Sequence, residues 1–200
     1  MPFINVQKPQ THKTLCYNLC AAQPHVGVSF VALWLAAQYV KENKHVLIFD
    51  TMLGLGNIPV KNKNAKSLEQ VLQGTAPLTN IIFTYQDIDI ISGSALLNLN
   101  ALSPLAQGNI KHQLTQLIPN YDVVICDTPA AVEHPFLDAP SIWVTTPDQS
   151  AILKTLRRAG DHPTLILNKV QNDSELQAAV LFIHQIVPET KIQQAISVKK

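Results

Sequence analysis

The chain has 200 residues, enough for one domain with a substantial core and too few to expect two. With 46% hydrophobic and 14% charged residues it is no disordered segment, and a net charge of +1 supplies no bulk attraction for nucleic acid. Cys16, Cys20 and Cys126 are odd in number and lack CxxC spacing, which excludes a disulfide framework or a zinc site and makes them small buried hydrophobes of a reducing compartment.

Residues 1–12 carry two prolines and little periodicity and read as an irregular lead-in to a single domain over 1–200. No charged-then-apolar leader and no apolar stretch of about 18 residues is present, which predicts a cytoplasmic protein without direct membrane insertion. From Lys13 the run TLCYNLCAA has strand length and stops at the breaker QPH. GVSFVALWLAAQYVKEN at 27–43 is too long and too rich in Ala and Leu for a strand and predicts a buried helix. HVLIFD at 45–50 is apolar at successive positions, as in a strand covered on both faces.

The same alternation continues. SLEQVLQG predicts a short helix ending at Gly74, DIDIIS a strand, and NIKHQLTQLIPN a helix with Ile110, Leu114, Leu117 and Ile118 on one face. YDVVICD, SIWVTT and PTLILNK predict further strands, SAILKTLRRAG and ELQAAVLFIHQIV helices, and residues 189–200 a short strand or a tail. Strands alternating with helices predict an α/β fold, a three-layer doubly wound, mostly parallel sheet whose ligands sit beyond the carboxyl ends of its strands.

Phosphate chemistry in such a fold belongs to the first strand-to-helix turn, where backbone N–H groups and the helix dipole surround the anion, a Lys neutralises charge, and Ser or Thr holds magnesium. That turn reads AAQPHVGVSF, residues 21–30. Val26, Gly27 and Ser29 in QPHVGVS resemble the KGGVGKT/S loop of the MinD/ParA-type P-loop ATPases, of the SIMIBI class. HVLIFDTMLGLGNIPV at 45–60 resembles that family's strand and loop of the type VLLLDADLGLANVDV, through Asp50, Leu53, Gly54, Leu55 and Asn57. YDVVICDTPAA is similar to the YDxxxxDT element that ends the Walker B strand, at Asp127, and LILNKV to the strand ending in an adenine-contacting Asn, here Asn168. SLEQVLQG and IDIISGSALL are closest to the FlhG branch, the flagellar-number regulators. The resemblance covers about residues 13–185.

The resemblance implies a residual nucleotide site at Gly27, Val28, Ser29 and Asn168, and a magnesium site at Ser29, Asp50 and Asp127 when nucleotide binds. It also exposes a degenerate Walker A: Gln23 stands at the dimer-bridging Lys, Pro24 and His25 at two glycines, Val28 at the P-loop Lys, and Met52 at the water-positioning Asp. A thioether neither accepts a proton nor orders a water. Losing the lysines costs a few kcal/mol of cation–phosphate attraction, and Pro24 removes an N–H donor from the cradle. Catalytic residues are accordingly assigned to none, with ATP and Mg as candidate but not required cofactors.

Three readings remain open: a non-catalytic regulatory or positioning protein for a flagellum, pilus or similar assembly; a slow ATPase; and a structural subunit of a pilus or polysaccharide-export apparatus. Protein partners and no nucleic acid are expected, and the first reading predicts a dimer or monomer not switched by ATP, recruited to a membrane or cell pole by its partner. Ser29 reads by itself as an N-terminal helix cap before it reads as a magnesium ligand. Asp50, Asp127 and Asn168 read equally as strand-end residues bonded to neighbouring N–H groups. Lys44 with Lys61, Lys63 and Lys66 reads as a solvated face, and Phe136 in VEHPFLDAP as a partner contact.

Overall fold

The computed structural model describes residues 13–51, 68–92, 102–128 and 137–197. Met52, the segment Leu53 to Asn57, Lys61, Lys63, Lys66 and Phe136 therefore lie outside the described residues. Eight strands form one sheet: β1 (Leu15–Cys20), β2 (Val46–Asp50), β3 (Ile82–Tyr85), β4 (Ile88–Ser92), β5 (Val123–Asp127), β6 (Ser141–Thr145), β7 (Thr164–Val170) and β8 (Lys191–Ser197), in the order β3-β4-β2-β5-β1-β6-β7-β8. Every pairing is parallel except the β3–β4 hairpin. The expected mostly parallel α/β sheet is what the chain forms.

Helices α1 (Val28–Lys41), α2 (Leu68–Leu72), α3 (Pro104–Leu117), α4 (Gln149–Ala159) and α5 (Asp173–Ile186) flank the sheet. All five positions of β2 and of β5 are buried, the physical counterpart of their unbroken apolar sequence. Alternate residues of these strands serve opposite faces. Val46, Ile48, Val123 and Ile125 pack with Val31, Ala32 and Ala36 of α1, whereas Leu47, Phe49, Val124 and Cys126 pack with Val71 of α2 and Ile110, Leu114 and Leu117 of α3. Leu165 and Leu167 meet Ile152 and Leu156 of α4 and Ala179 and Ile183 of α5.

Side-chain caps fix three helix starts. Ser103 accepts from the Ala106 N–H, Asp148 from Ala151 and Asn172 from Glu175. The Ser103 cap, followed by Pro104, starts α3 well before the apolar periodicity suggests. Helix α1 is less enclosed than its composition predicts: only Val31, Ala32 and Ala36 are buried, and Phe30 is 56% exposed. Residues 191–197 settle as the edge strand β8.

Two features were not legible as a pattern. Strand β3 is a short hairpin partner to β4 across Gln86 and Asp87, both with positive φ, and only the IIFTY run before that turn signals it. Strands β1 and β2 do not pair; β5 inserts between them. This leaves β1 between β5 and β6, where strand order reverses, and the crevice of an open α/β sheet lies at such a point.

Candidate functional site

Parallel pairing brings three strand ends together. Asp127 of β5 lies in register with Leu19 of β1 and with Asp50 of β2, so the two aspartates occupy adjacent strands about 4.8 Å apart, on the same face. Thr128 donates both its N–H (3.0 Å) and its hydroxyl to the Leu19 carbonyl. Thr51 likewise directs its N–H (3.1 Å) and its hydroxyl onto the Asp127 carbonyl. Each threonine lashes one strand end to the next, and Cys20 Sγ touches Thr128 Oγ1 at 3.1 Å. Asn18, fully buried, donates from Nδ2 to the Leu137 and Ala139 carbonyls at 3.0 and 2.9 Å, fastening the chain that enters β6.

Residues 21–27 follow β1 and enter α1. Gly27 is the N-cap, with φ 92° and ψ 37°, and no side chain caps the helix. The reading of Ser29 as the cap is thus corrected: the left-handed geometry that glycine tolerates ends the loop two residues earlier, and Ser29 lies in the first turn. A Cβ at residue 27 would stand 2.5 Å from Asn168 Nδ2, so the position also demands glycine sterically. His25 has φ 63°, an uncommon backbone for a residue with a side chain.

Asp127 is fully buried, and neither carboxylate oxygen has a hydrogen bond of regular geometry. Burial pushes its pKa up to about 7; the Ser29 hydroxyl beside it pulls the other way, and the Asp50 charge adds to the rise. Cys126, also fully buried, has its thiol pushed well up by burial and by the neighbouring aspartates, which makes it an inert core residue. Cys16 and Cys20 are only half-buried.

At the end of β7, Asn168 is buried and its amide is engaged at both ends. Nδ2 donates to the Val26 carbonyl at 2.8 Å, and Oδ1 accepts the Lys169 N–H at 2.9 Å. Lys169 is the extra residue of a β-bulge in the β7–β8 ladder and has φ 62°. Bulges re-aim side chains, and here Lys169 Nζ donates to the His25 carbonyl at 2.7 Å. Lys154 of α4 reaches Gln23 Oε1 at 3.5 Å. Sequence spacing placed neither lysine at the loop; Lys169 had only its position near the end of a strand as a signal, and Lys154, within α4, had none. Lys44 is excluded as a phosphate contact, because it follows the far end of α1, about 20 Å of helix from the loop.

Among the described residues no group of three or more His, Cys, Asp or Glu could hold a metal by protein ligands alone. Magnesium makes smaller demands, taking one or two carboxylates with phosphate and water completing its shell. Asp127 with orphaned buried oxygens, Ser29 beside it and Asp50 on the next strand fit that donor set. Magnesium there would neutralise carboxylate and phosphate charge together.

No protein-family model matches the chain. The septum site-determining protein MinD of Bacillus subtilis is 26% identical over 170 residues, which cover 74% of this chain and 62% of that protein. MinD of Buchnera aphidicola is likewise 26% identical, over 68% of this chain and 54% of that protein. This chain is homologous to the MinD/ParA-type P-loop ATPases. Solved MinD/ParA structures share its fold: the Aquifex aeolicus MinC:MinD complex superposes with a TM-score of 0.71 at 18% identity, over 90% of this chain and 80% of that one. MinD of Pyrococcus horikoshii, solved with Mg-ADP, gives 0.67 at 20% identity, over 92% and 82%. The chain spans only 62% and 54% of the length of these two curated MinD relatives. No helix among the described residues is long and apolar enough to cross a membrane.

Proposed function

We propose that this chain is a non-hydrolysing MinD/ParA-type regulatory or positioning protein, of the FlhG kind, that acts from the cytoplasm on a flagellum, pilus or similar cell-envelope assembly through a protein partner. The observation that carries this reading is a joint loss. Gln23 and Val28 stand where the family's loop has lysines, and Met52 stands where it has the acid that orders the attacking water. Hydrolysis requires all three groups at one phosphate, so their common absence removes the reaction rather than retuning it. The sequences SLEQVLQG and IDIISGSALL favour the FlhG branch.

With Gln23 at the bridging position, dimerisation is independent of ATP, and recruitment to a membrane or pole comes from the partner. The test is phosphate release with ATP and magnesium on the purified chain, with Asp127→Ala as control. The expected result is no release above the control. Turnover that Asp127→Ala abolishes would establish the second reading, a slow ATPase, which the closeness of Ser29 to Asp127 favours.

A further inference from the structure

The loop after β1 has lost its own cations, yet the fold brings two ammonium groups to it from elsewhere. Lys169 Nζ lies 2.7 Å from the His25 carbonyl, and its Cε would stand 3.9 Å from a Cβ on Gly27, which puts the side chain across the residues leading into α1. Lys154 Nζ lies 3.5 Å from Gln23 Oε1, two residues earlier in the same turn than His25. Helix α1 is 14 residues long and begins there, so its N-terminal partial charge and these ammonium groups act on the same volume. A second, separate observation marks that volume as a ligand site. The buried Asp127 carboxylate faces Ser29 in the first turn of α1, and neither of its oxygens has a regular hydrogen bond. An orphaned buried carboxylate beside a helix N-terminus calls for a cation and an anion bound together.

Lys169 is held there by design of the backbone. It is the bulged residue at the end of β7 and keeps a left-handed φ of 62°, a conformation that costs on the order of 1 kcal/mol in a residue with a Cβ. Gln171 Nε2 donates to its carbonyl at 3.4 Å. An ammonium spends one of three donors on the His25 carbonyl, leaving two for a phosphate. The neighbouring Asn168 is in the opposite condition. Its Nδ2 serves the Val26 carbonyl and its Oδ1 the Lys169 N–H. An amide consumed in bracing the loop is not presented to a purine ring.

We infer that this chain binds magnesium-bound oligophosphates through Lys169, which replaces in space the cation missing from the loop, and that the site reads the phosphate chain without reading the base. The inference goes beyond the regulatory reading above: it shares Gln23, Ser29 and Asp127 with it, adds Lys169, and is tested by binding rather than by turnover. Lys169 is a binding residue in this account, Lys154 a weaker contributor, and Asn168 a positioning residue for the loop.

The test is calorimetric titration of the full chain with ADP, GDP and sodium tripolyphosphate, each with magnesium, for the wild type and for Lys169→Met, Lys169→Arg and Lys154→Met. The expected result is three wild-type affinities within about threefold of one another. Lys169→Met weakens all three at least tenfold, Lys169→Arg stays within about threefold, and Lys154→Met falls between. Melting of the unliganded variants reports the separate bracing role of the Lys169–His25 contact. A variant that melts lower but binds unchanged overturns the inference, as does ADP binding tenfold tighter than GDP and tripolyphosphate, or a wild type that binds none of the three at millimolar concentration. If Lys169→Met does not fold, Lys169→Gln is judged by the same criteria. Phosphate release measured on the same samples keeps the two proposals apart. Turnover sinks the non-hydrolysing reading alone, and absent binding sinks this one alone.

Discussion

Asp127→Asn isolates the electrostatic cost built into the site. The wild-type carboxyl has a folded pKa of about 7 against an ordinary value of 3.8, so the folded state holds its proton more tightly than the unfolded state does. Stability from this group is complete below about pH 4. It falls as pH rises, because the unfolded chain ionises freely while the folded one resists, and it levels off above about pH 7. A gap of roughly three pH units corresponds to about 4 kcal/mol at 1.36 kcal/mol per unit. Relaxation and water entry reduce this, so a realistic swing is about 2–4 kcal/mol. The asparagine variant keeps shape and polarity but cannot ionise. Urea unfolding of both proteins at pH 4.5, 6, 7 and 8.5 should therefore show the variant gaining on the wild type by about 2–4 kcal/mol across the range, with the change concentrated between pH 4.5 and 7. Parallel pH profiles would refute the assignment of Asp127 as a buried, uncompensated carboxylate. Wild-type gain with rising pH relative to the variant would mean that a cation already pairs with it.

Other perturbations test the scaffold. Gly27→Ala places a methyl group 2.5 Å from Asn168 Nδ2 in a left-handed backbone; about 2–4 kcal/mol of lost stability is expected from strain and a displaced buried hydrogen bond, read as a fall of about 5–15 °C in melting temperature. Adding Asn168→Ala should recover part of that loss, since it removes the clashing group. Asn18→Ala strips the Leu137 and Ala139 carbonyls of their buried donor and should cost about 2–3 kcal/mol in denaturant unfolding. Tyr121→Phe removes a hydroxyl that donates to Asp89 Oδ2 at 3.0 Å, beside the His45 ring and the Thr84 hydroxyl on the same carboxylate. A loss of about 1–2 kcal/mol is expected, and hydrogen exchange should quicken first in the β3–β4 hairpin that this cluster ties to the sheet.

What the sequence determined by itself was the grammar of the fold. Unbroken apolar runs such as VLIFD and VVICD, short and bounded by turn residues, read as strands covered on both faces, and helix-length segments between them suit parallel pairing. The residues at 23, 28 and 52 were equally legible, and setting them against the lysines and the acid of a phosphate loop rests on the resemblance of the flanking motifs. Tertiary structure decided everything that depends on residues distant in the chain. The separation of β1 from β2 by β5, the register that sets Asp50 beside Asp127, and the orphaned state of that carboxylate arise from strand order, which local periodicity does not encode. Likewise, no spacing rule joins Lys154 to Gln23 across 131 residues, or Lys169 to His25 across 144. A bulge at the end of β7 and a glycine with a left-handed backbone at the head of α1 bring the last pair together. Their effect is a question of where side chains are aimed, and only the folded backbone answers it.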